Sequence, residues 1–226
     1  MSINTSKKIK SRIKKINMAI QLLEEKYGEI EWELRRDPMS ELIYTILSQH
    51  TSDINSIRAF NNLIKKFKSF ELIKDAPIED IEAQIYTGGL AKIKASRIKE
   101  VLKIIYLDIG SFDISFLSEM DIIAAKSWLK SLPGIGPKTA AIVLCFSFGM
   151  PVMPVDTHIF RLSKRLDFID NKVNADDAHE ILEEMIMPKK IFSFHMNLIN
   201  HGRQICNARN PKCGECVLNT ICPSKQ

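Results

Sequence analysis

Apolar residues recur along most of the chain at the spacing of an α-helix. In the first 20 residues Ile9, Ile13, Ile16 and Ile20 fall at intervals of four, three and four, which places them on one face of a helix. The stretches SELIYTILSQ and SIRAFNNLIKKF continue this pattern, and each opens with a serine suited to capping. We therefore predict three helices here, with residues 37–40 as the loop before the second.

The later segments give further helix signals. A helical stretch beginning KASRIKEV stops at Gly110, a residue typical of the position after a helix, and DIIAAKSWLKSL stops at Pro133-Gly134. Asn174 is a candidate cap for NADDAHEILEEMI, and Pro188 fits the first turn of PKKIFSFHMNLINHGRQIC. No convincing alternating strand occurs in the sequence, so we predict an all-α fold of roughly ten helices.

Length and composition permit one globular domain or two small ones. The chain has 226 residues, of which 45% are hydrophobic and 26% charged, an ordinary balance for a folded protein. No apolar run approaches the ~18 residues of a membrane helix, and the N-terminus lacks the apolar core of a signal peptide. We expect a cytoplasmic protein, nucleoid-associated in a prokaryote, that does not act in a membrane.

Basic residues are concentrated at the two ends of the chain. The first 20 residues hold six Lys/Arg and no acid, and residues 189–226 hold six against one acid, Glu215. If the ends fold together, they form a positive surface suited to a polyanion such as DNA. The alternative is a solvated face of a lysine-rich chain.

Four of the five cysteines lie close together near the C-terminus. Cys206, Cys213, Cys216 and Cys222 follow the spacing C-x6-C-x2-C-x5-C, and a reducing compartment argues against disulfides. A [4Fe–4S] cluster takes four thiolates from such a compact loop. Zinc is the alternative, although four-cysteine zinc sites usually use two C-x-x-C pairs and only one is present. Cys145, in the apolar run AAIVLCFSF, is expected to be buried.

Two short segments hold the candidate catalytic groups. In LPGIGPKTA, Gly134 and Gly136 suit a tight turn before a helix that starts near Pro137, and Lys138 follows. In VDTHIFRL, Asp156 lies at a helix start. Their ordinary interpretations are a solvated or phosphate-contacting lysine and a capping aspartate. A nucleophilic lysine would need desolvation or cationic neighbours, because an unperturbed amine is almost wholly protonated at pH 7.

Together these segments resemble the endonuclease III family of base-excision DNA glycosylases. LPGIGPKTA is similar to the helix-hairpin-helix of that family (here about residues 125–148), VDTHIFRL to its catalytic aspartate segment, and HGRQICNARNPKCGECVLNTIC to its iron–sulfur loop. The resemblance covers roughly residues 20–223. It implies two lobes: a six-helix barrel domain of residues 36–150, and a discontinuous domain of residues 1–35 plus 151–226 with the cluster loop at 206–222.

The resemblance also assigns roles to the candidate residues. Lys138 would attack the sugar of a flipped nucleotide, and Asp156 would activate the lysine and stabilise positive charge on the sugar. The four clustered cysteines would hold a [4Fe–4S] cluster. DNA contacts are expected from the hairpin and from two segments similar to those that fill the emptied stack, LSQHTSD and GGLAKIKA; the residues are Gln49, His50, Leu90, Gly134, Gly136 and Thr139.

The two segments differ in how they align with the family pattern. Leu90 matches the apolar position of the family, whereas ungapped alignment places His50 at its glutamine position, with Gln49 one place earlier. His195 is expected to be a hydrogen-bonded core residue and His201 a structural residue beside the cluster loop. Arg203 and Arg209 could steady the cluster charge or contact phosphate.

The expected function is that of a bifunctional N-glycosylase and abasic-site lyase, with a monomer acting on duplex DNA. Its substrates would be damaged bases, with oxidised pyrimidines expected, or abasic sites. One alternative is a mismatch-directed glycosylase for thymine or uracil opposite guanine. Others are a non-catalytic DNA-binding module and a zinc-ribbon binding protein.

Overall fold

The fold is built from helices joined by short loops. A computed structural model describes residues 3–226, with side chains from Lys7 onward; residues 1 and 2, part of the predicted discontinuous domain, lie outside it. No β-strand occurs within these described residues. No helix among them is long and apolar enough to cross a membrane. The α-helices are α1 (Ile3–Tyr27), α2 (Pro38–Ser48), α3 (Asp53–Phe67), α4 (Phe70–Asp75), α5 (Ile78–Ile85), α6 (Ala91–Ile109), α7 (Ile122–Ser131), α8 (Pro137–Phe148), α9 (Thr157–Arg165), α10 (Ala175–Met185) and α11 (Ile191–Gln204).

Helices α2 to α8 belong to one compact unit, Leu34–Met150. In it α2 packs on α8 and α3, and α6 packs on α4 and α5. Helix α8 is apolar on nearly all sides, as expected of a helix surrounded by others. Its buried apolar residues and those of α2 lie in the core: Leu42, Ile43, Ile46, Leu47, Ala140, Val143, Leu144 and Cys145.

The second compact unit joins the two ends of the sequence, Met1–Glu33 and Pro151–Gln226. Its core combines α1 with α9, α10 and α11, and the side chains of the cysteine loop pack against it. Of the predicted apolar stripe on α1, Ile16 and Ile20 are buried and Ile13 is partly buried in this core. The two basic ends of the chain are therefore parts of one unit.

Part of the positive charge of this unit is neutralised within it. Arg12 donates hydrogen bonds to Asp167 and Asp170, at 3.0 Å each, and Lys8 also pairs with Asp170. These cations hold the pKa of Asp170 well below its usual range, chiefly through hydrogen bonds. Lys190 forms an ion pair with Glu24. The basic surface is therefore smaller than the residue count predicted.

Several helix ends match the sequence prediction. Gly110 ends α6 with φ of +71°, and Asn174 caps α10 by accepting a hydrogen bond from the N–H of Asp177. Helix α8 begins at Pro137, as predicted. Cys145 is fully buried.

Three helix starts differ from the prediction: α2 and α3 were predicted too late, and α11 too early. Helix α2 begins at Pro38, not at Ser40, because Asp37 caps it and proline is compatible with the first turn. Helix α3 is capped by Ser52 and not by Ser56, which lies inside the helix. Pro188 opens a short 3-10 turn, Pro188–Lys190, and α11 follows from Ile191.

Candidate functional site

Helices α7 and α8, together with the turn between them, form a helix-hairpin-helix. Gly134 has a φ of +72°, a left-handed conformation that favours glycine. Ile135 is buried and anchors the turn. Gly136 is the N-cap residue of α8 and offers no side chain to its first N–H groups. The first turn of α8 therefore presents backbone donors and the positive end of a helix dipole.

Arg97 of α6 lies directly against this turn. A Cβ atom placed on Gly134 would stand 1.9 Å from Arg97 Nε, so only glycine fits there with the arginine in place. Arg97 also donates a 2.6 Å hydrogen bond to Gln49 Oε1. Gln49 Nε2 in turn lies 3.2 Å from the carbonyl oxygen of Gly134 and 3.3 Å from Thr139 Oγ1. The structure thus brings together three predicted residues, Gln49, Gly134 and Thr139.

His50 differs from its neighbour Gln49. It has a φ of +54° and an exposed side chain. Within residues 3–226 no hydrogen bond or ion pair involves this side chain, whereas both polar atoms of the Gln49 amide are bonded. Gln49 is fixed to the hairpin, and His50 projects from the turn after α2.

Leu90 is held in place by a buried lysine that the sequence prediction missed. Leu90 has a φ of +50° and is 53% exposed, which is unusual for a large apolar residue. One helical turn later, Lys94 is only 2% exposed. Its Nζ donates to Leu47 O at 2.7 Å, Thr51 Oγ1 at 2.6 Å and Gly88 O at 2.8 Å. Lys94 therefore ties the end of α2 to the loop that carries Leu90.

Lys138 lies in the first turn of α8 with an exposed side chain. Within the described residues, no hydrogen bond or ion pair occupies its amine. The turn before it and the helix that carries it fix the backbone from which the amine projects.

Asp156 is the N-cap of α9, and its Oδ1 accepts a 2.7 Å hydrogen bond from the N–H of Ile159. The extended segment before it is buried. His195 Nδ1 lies 2.9 Å from the carbonyl oxygen of Pro154, and the N–H of Met153 donates to Glu183 at 2.8 Å. His195 is buried, as predicted. These contacts fix the backbone that presents the carboxylate. Asp156 lies in the second unit and Lys138 in the first.

The four clustered cysteines surround one cavity at the end of α11. Cys206, Cys213, Cys216 and Cys222 all line it, and none forms a disulfide. Burial, and then the charges of the neighbouring thiolates, raise the pKa of the Cys216 and Cys222 thiols. Four thiolates are therefore stable here only with a positively charged group among them.

The arrangement suits a group larger than a single ion. The four cysteines line one cavity and contain a single C-x-x-C pair. Four-cysteine zinc sites usually use two such pairs. Four sulfurs distributed around a shared cavity are what an iron–sulfur cluster requires.

Two side chains outside the loop lie within hydrogen-bond distance of these sulfurs. Arg165, at the end of α9, has Nη1 3.2 Å from Cys206 Sγ and 2.7 Å from Asn207 O. His201 Nε2 lies 3.2 Å from Cys216 Sγ. Burial lowers the pKa of His201 to about 4. The sequence prediction placed His201 beside this loop but missed Arg165, which is 41 residues from Cys206.

Comparison with known proteins identifies the family. The model of the HhH-GPD superfamily of base excision DNA repair proteins matches residues 43–188, and that of the iron–sulfur binding domain of endonuclease III matches residues 206–222. Endonuclease III of Thermotoga maritima is 33% identical over 82% of this chain and 83% of its own length. The chain belongs to the endonuclease III family. Endonuclease III of Bacillus subtilis is 31% identical over 95% of this chain and 94% of its own.

Solved structures agree with the family assignment. A non-covalent endonuclease III–DNA complex matches this endonuclease III family protein with a TM-score of 0.81 at 27% identity, covering 94% of this chain and 96% of that one. A trapped covalent endonuclease III–DNA intermediate gives 0.80 at 27% identity over the same shares. A thermostable thymine-DNA glycosylase gives 0.77 at 25% identity over 98% of each chain.

The family membership confirms several sequence predictions. The all-α helix-hairpin-helix glycosylase fold is confirmed, as is a C-terminal iron–sulfur segment. This endonuclease III family protein is a DNA glycosylase of base excision repair and carries a [4Fe–4S] cluster.

Proposed function

We propose that the protein is a bifunctional DNA N-glycosylase and abasic-site lyase that removes oxidised pyrimidines from duplex DNA. The observation that carries this proposal is the position of Lys138, an exposed amine in the first turn of the helix that follows the hairpin. The trapped covalent intermediate of endonuclease III with DNA supports it, because trapping requires a nucleophile on the protein.

After its ammonium group has given up a proton, Lys138 Nζ attacks C1′ of the flipped nucleotide as the bond between C1′ and the base breaks. The electron pair leaves with the base, which takes up a proton. Loss of protons from Nζ and opening of the sugar ring give a Schiff base between Nζ and C1′. Removal of a C2′ proton then expels the 3′ phosphate and cuts the strand. An amine forms this imine and a hydroxyl does not, which is why the chemistry requires lysine.

Asp156 supplies negative charge to the same reaction. Its carboxylate stabilises the positive charge that develops on the sugar as the base departs. The cap of α9 and the buried segment before it hold this carboxylate in a fixed position, which is what electrostatic stabilisation of a transition state needs.

The hairpin binds the DNA backbone. The uncapped N–H groups at the start of α8 and the lack of a side chain at Gly136 suit close approach of a phosphate. Such contacts position the duplex without reading its sequence. Gly134 is part of this surface, whereas the predicted DNA contact Thr139 is buried and supports the turn through its contact with Gln49. We infer that the protein binds as a monomer.

His50 and Leu90 fill the space left by the flipped nucleotide. Both project from backbones in the left-handed region, and both side chains are exposed. The amide of Gln49, in contrast, is already bonded to Arg97 and to the hairpin. Gln49 therefore supports the hairpin, and the exposed imidazole of His50 is the group that faces the orphaned base.

Cys206, Cys213, Cys216 and Cys222 hold the [4Fe–4S] cluster. The cluster supplies a cationic centre that binds the four thiolates and orders the loop. Arg165 and His201 donate to two of the sulfurs. The role is structural, because the glycosylase and lyase steps transfer no electrons to or from the protein.

Thymine opposite guanine is the second candidate substrate. It is favoured by the likeness to a thermostable thymine-DNA glycosylase over 98% of both chains. In a non-catalytic binding module the amine of Lys138 would serve only to contact a phosphate, and the match to a family of base excision DNA repair proteins disfavours this alternative.

Duplexes with one defined lesion separate these functions. Under single-turnover conditions, we expect release of an oxidised pyrimidine and strand cleavage without added alkali, and much slower action on thymine opposite guanine. Faster release of mismatched thymine would favour the second candidate. Release of base without strand cleavage would contradict the lyase activity.

A further inference from the structure

A chain of hydrogen bonds runs from α1 to a cysteine of the cluster loop. The hydroxyl of Tyr27, the last residue of α1, lies 3.0 Å from His201 Nδ1. The other ring nitrogen of His201, Nε2, lies 3.2 Å from Cys216 Sγ. The Tyr27 ring also packs edge-on against the imidazole. Tyr27 and His201 are 174 residues apart in sequence, and this contact joins the N-terminal helix to α11, the helix that precedes the iron–sulfur segment.

The two hydrogen-bond partners of His201 determine which ring nitrogen carries the proton. A cysteine that ligates iron is a thiolate and only accepts hydrogen bonds, so Nε2 must be the donor. A phenol, with an ordinary pKa of about 10, keeps its proton at neutral pH, and it donates to the free lone pair of Nδ1. Tyr27 therefore holds His201 in the tautomer with hydrogen on Nε2, as an outer partner does for a metal-bound histidine.

The ring is shielded from water, which strengthens its effect on the sulfur. His201 is only 1% exposed. A hydrogen bond in such surroundings is electrostatically stronger than one in water. Hydrogen bonds to cluster sulfurs stabilise added negative charge, and this stabilisation is greater in the reduced cluster.

We propose that Tyr27 and His201 are positioning residues that direct one N–H group at the Cys216 sulfur and thereby raise the reduction potential of the cluster. The inference rests on the proposed assignment of Cys216 as a ligand. It adds that the potential is set in part by a residue of α1, more than 180 positions before that ligand.

The test is direct electrochemistry of purified, cluster-loaded protein, with iron content measured in each sample. Tyr27→Phe retains the aromatic ring and removes only the hydroxyl. His201→Leu removes the donor, and His201→Gln supplies an amide N–H in its place. Tyr106→Phe, on α6 in the other unit, is the matched control for loss of a phenol.

We expect a lower potential in Tyr27→Phe and a larger decrease in His201→Leu. We also expect partial recovery in His201→Gln and no change in Tyr106→Phe. Equal potentials in wild type, Tyr27→Phe and His201→Leu at full iron content would overturn the inference. If His201→Leu loses iron, the potential of Tyr27→Phe alone tests the inference, because this variant leaves the thiols and the imidazole of His201 unchanged. Cys216→Ser tests the ligand assignment separately: full iron retention there would contradict the assignment, whatever the other potentials.

Discussion

The two glycines of the hairpin differ in what an added methyl group would meet. At Gly134 the φ is positive and a Cβ would collide with Arg97, whereas a Cβ at Gly136 would meet no described residue within 4 Å beyond its neighbours in the chain. We predict that Gly134→Ala lowers the free energy of unfolding by about 1–2 kcal/mol, the cost of a left-handed residue, and releases Gln49. Gly136→Ala should leave stability unchanged and weaken DNA binding.

Denaturant unfolding and DNA titration of both variants check this difference. Equal loss of stability in the two variants would contradict the left-handed conformation of Gly134 and its close contact with Arg97. Unchanged DNA affinity in Gly136→Ala would contradict the close approach of a phosphate.

Because of Lys94, the free energy of unfolding should vary with pH in the alkaline range. Burial first, and the charge of Arg97 second, lower the pKa of Lys94 to about 8 from a usual value of 10.5. Between those values the unfolded chain binds the proton that the folded chain has released. The free energy of unfolding should therefore rise with pH across this window, by at most about 1.4 kcal/mol per pH unit, and the gain disappears as pH falls through 8.

Urea unfolding of wild type and Lys94→Met from pH 7 to 10.5 measures this contribution. The difference in unfolding free energy between them should grow in favour of wild type above pH 8. A difference that stays constant would mean that the three acceptors keep the lysine charged throughout.

At the scale of elements, α9 connects the candidate carboxylate to the cysteine loop. Asp156 caps its first turn, and Arg165 at its end donates to Cys206. Asparagine caps helices as well as aspartate does but carries no charge. We predict that Asp156→Asn keeps stability and DNA binding and loses most of its turnover, whereas Asp156→Ala also loses about 1 kcal/mol of stability.

The matched control is Asn174→Ala, which removes the cap of α10. It should cost a similar amount of stability and leave single-turnover rates unchanged. Wild-type rates in Asp156→Asn would reduce Asp156 to a helix cap.

The sequence predicted which segments form helices, but it predicted the first residue of each helix less well. The periodicity of α1 and the stop at Gly110 are local signals that few alternatives satisfy. At α2 and α3 two capping residues compete within four positions, Asp37 with Ser40 and Ser52 with Ser56. Which of them caps depends on where the first buried residue must lie, and this is set by packing.

At the scale of the molecule, the two compact units have separate cores. The unit Leu34–Met150 contains none of the four clustered cysteines. We predict that Cys213→Ser loses the cluster and binds DNA more weakly, while α2 to α8 stay folded. Without the cluster the remaining thiolates repel each other and the loop loses its order.

Iron analysis and amide hydrogen exchange check this prediction. Protection should fall in α9, α11 and residues 206–222 and persist in α2 and α8. Full retention of iron and DNA binding would contradict the role of Cys213, and loss of protection throughout would contradict independent cores. Cys145→Ser, at the buried fifth cysteine, is the control that should keep its iron.

Motif residues could be read from the sequence because each motif is local. The contacts that support them could not: Arg97 meets Gln49 across 48 positions, and Tyr27 meets His201 across 174. Neither pair has a spacing that periodicity detects, since each depends on how separate helices pack. The proposal that His50, and not Gln49, faces the orphaned base rests on such a contact.

The central claim is that Lys138 forms a Schiff base with DNA, and borohydride trapping on a duplex with one abasic site tests it most directly. Wild type, Lys138→Gln and the control Lys130→Gln, an exposed lysine in the last turn of α7, should be compared at equal DNA occupancy. We predict a covalent adduct with wild type and Lys130→Gln, none with Lys138→Gln, and the DNA-bearing peptide mapped to residue 138. An adduct of equal yield with Lys138→Gln, or none with wild type bound to DNA, would contradict the account.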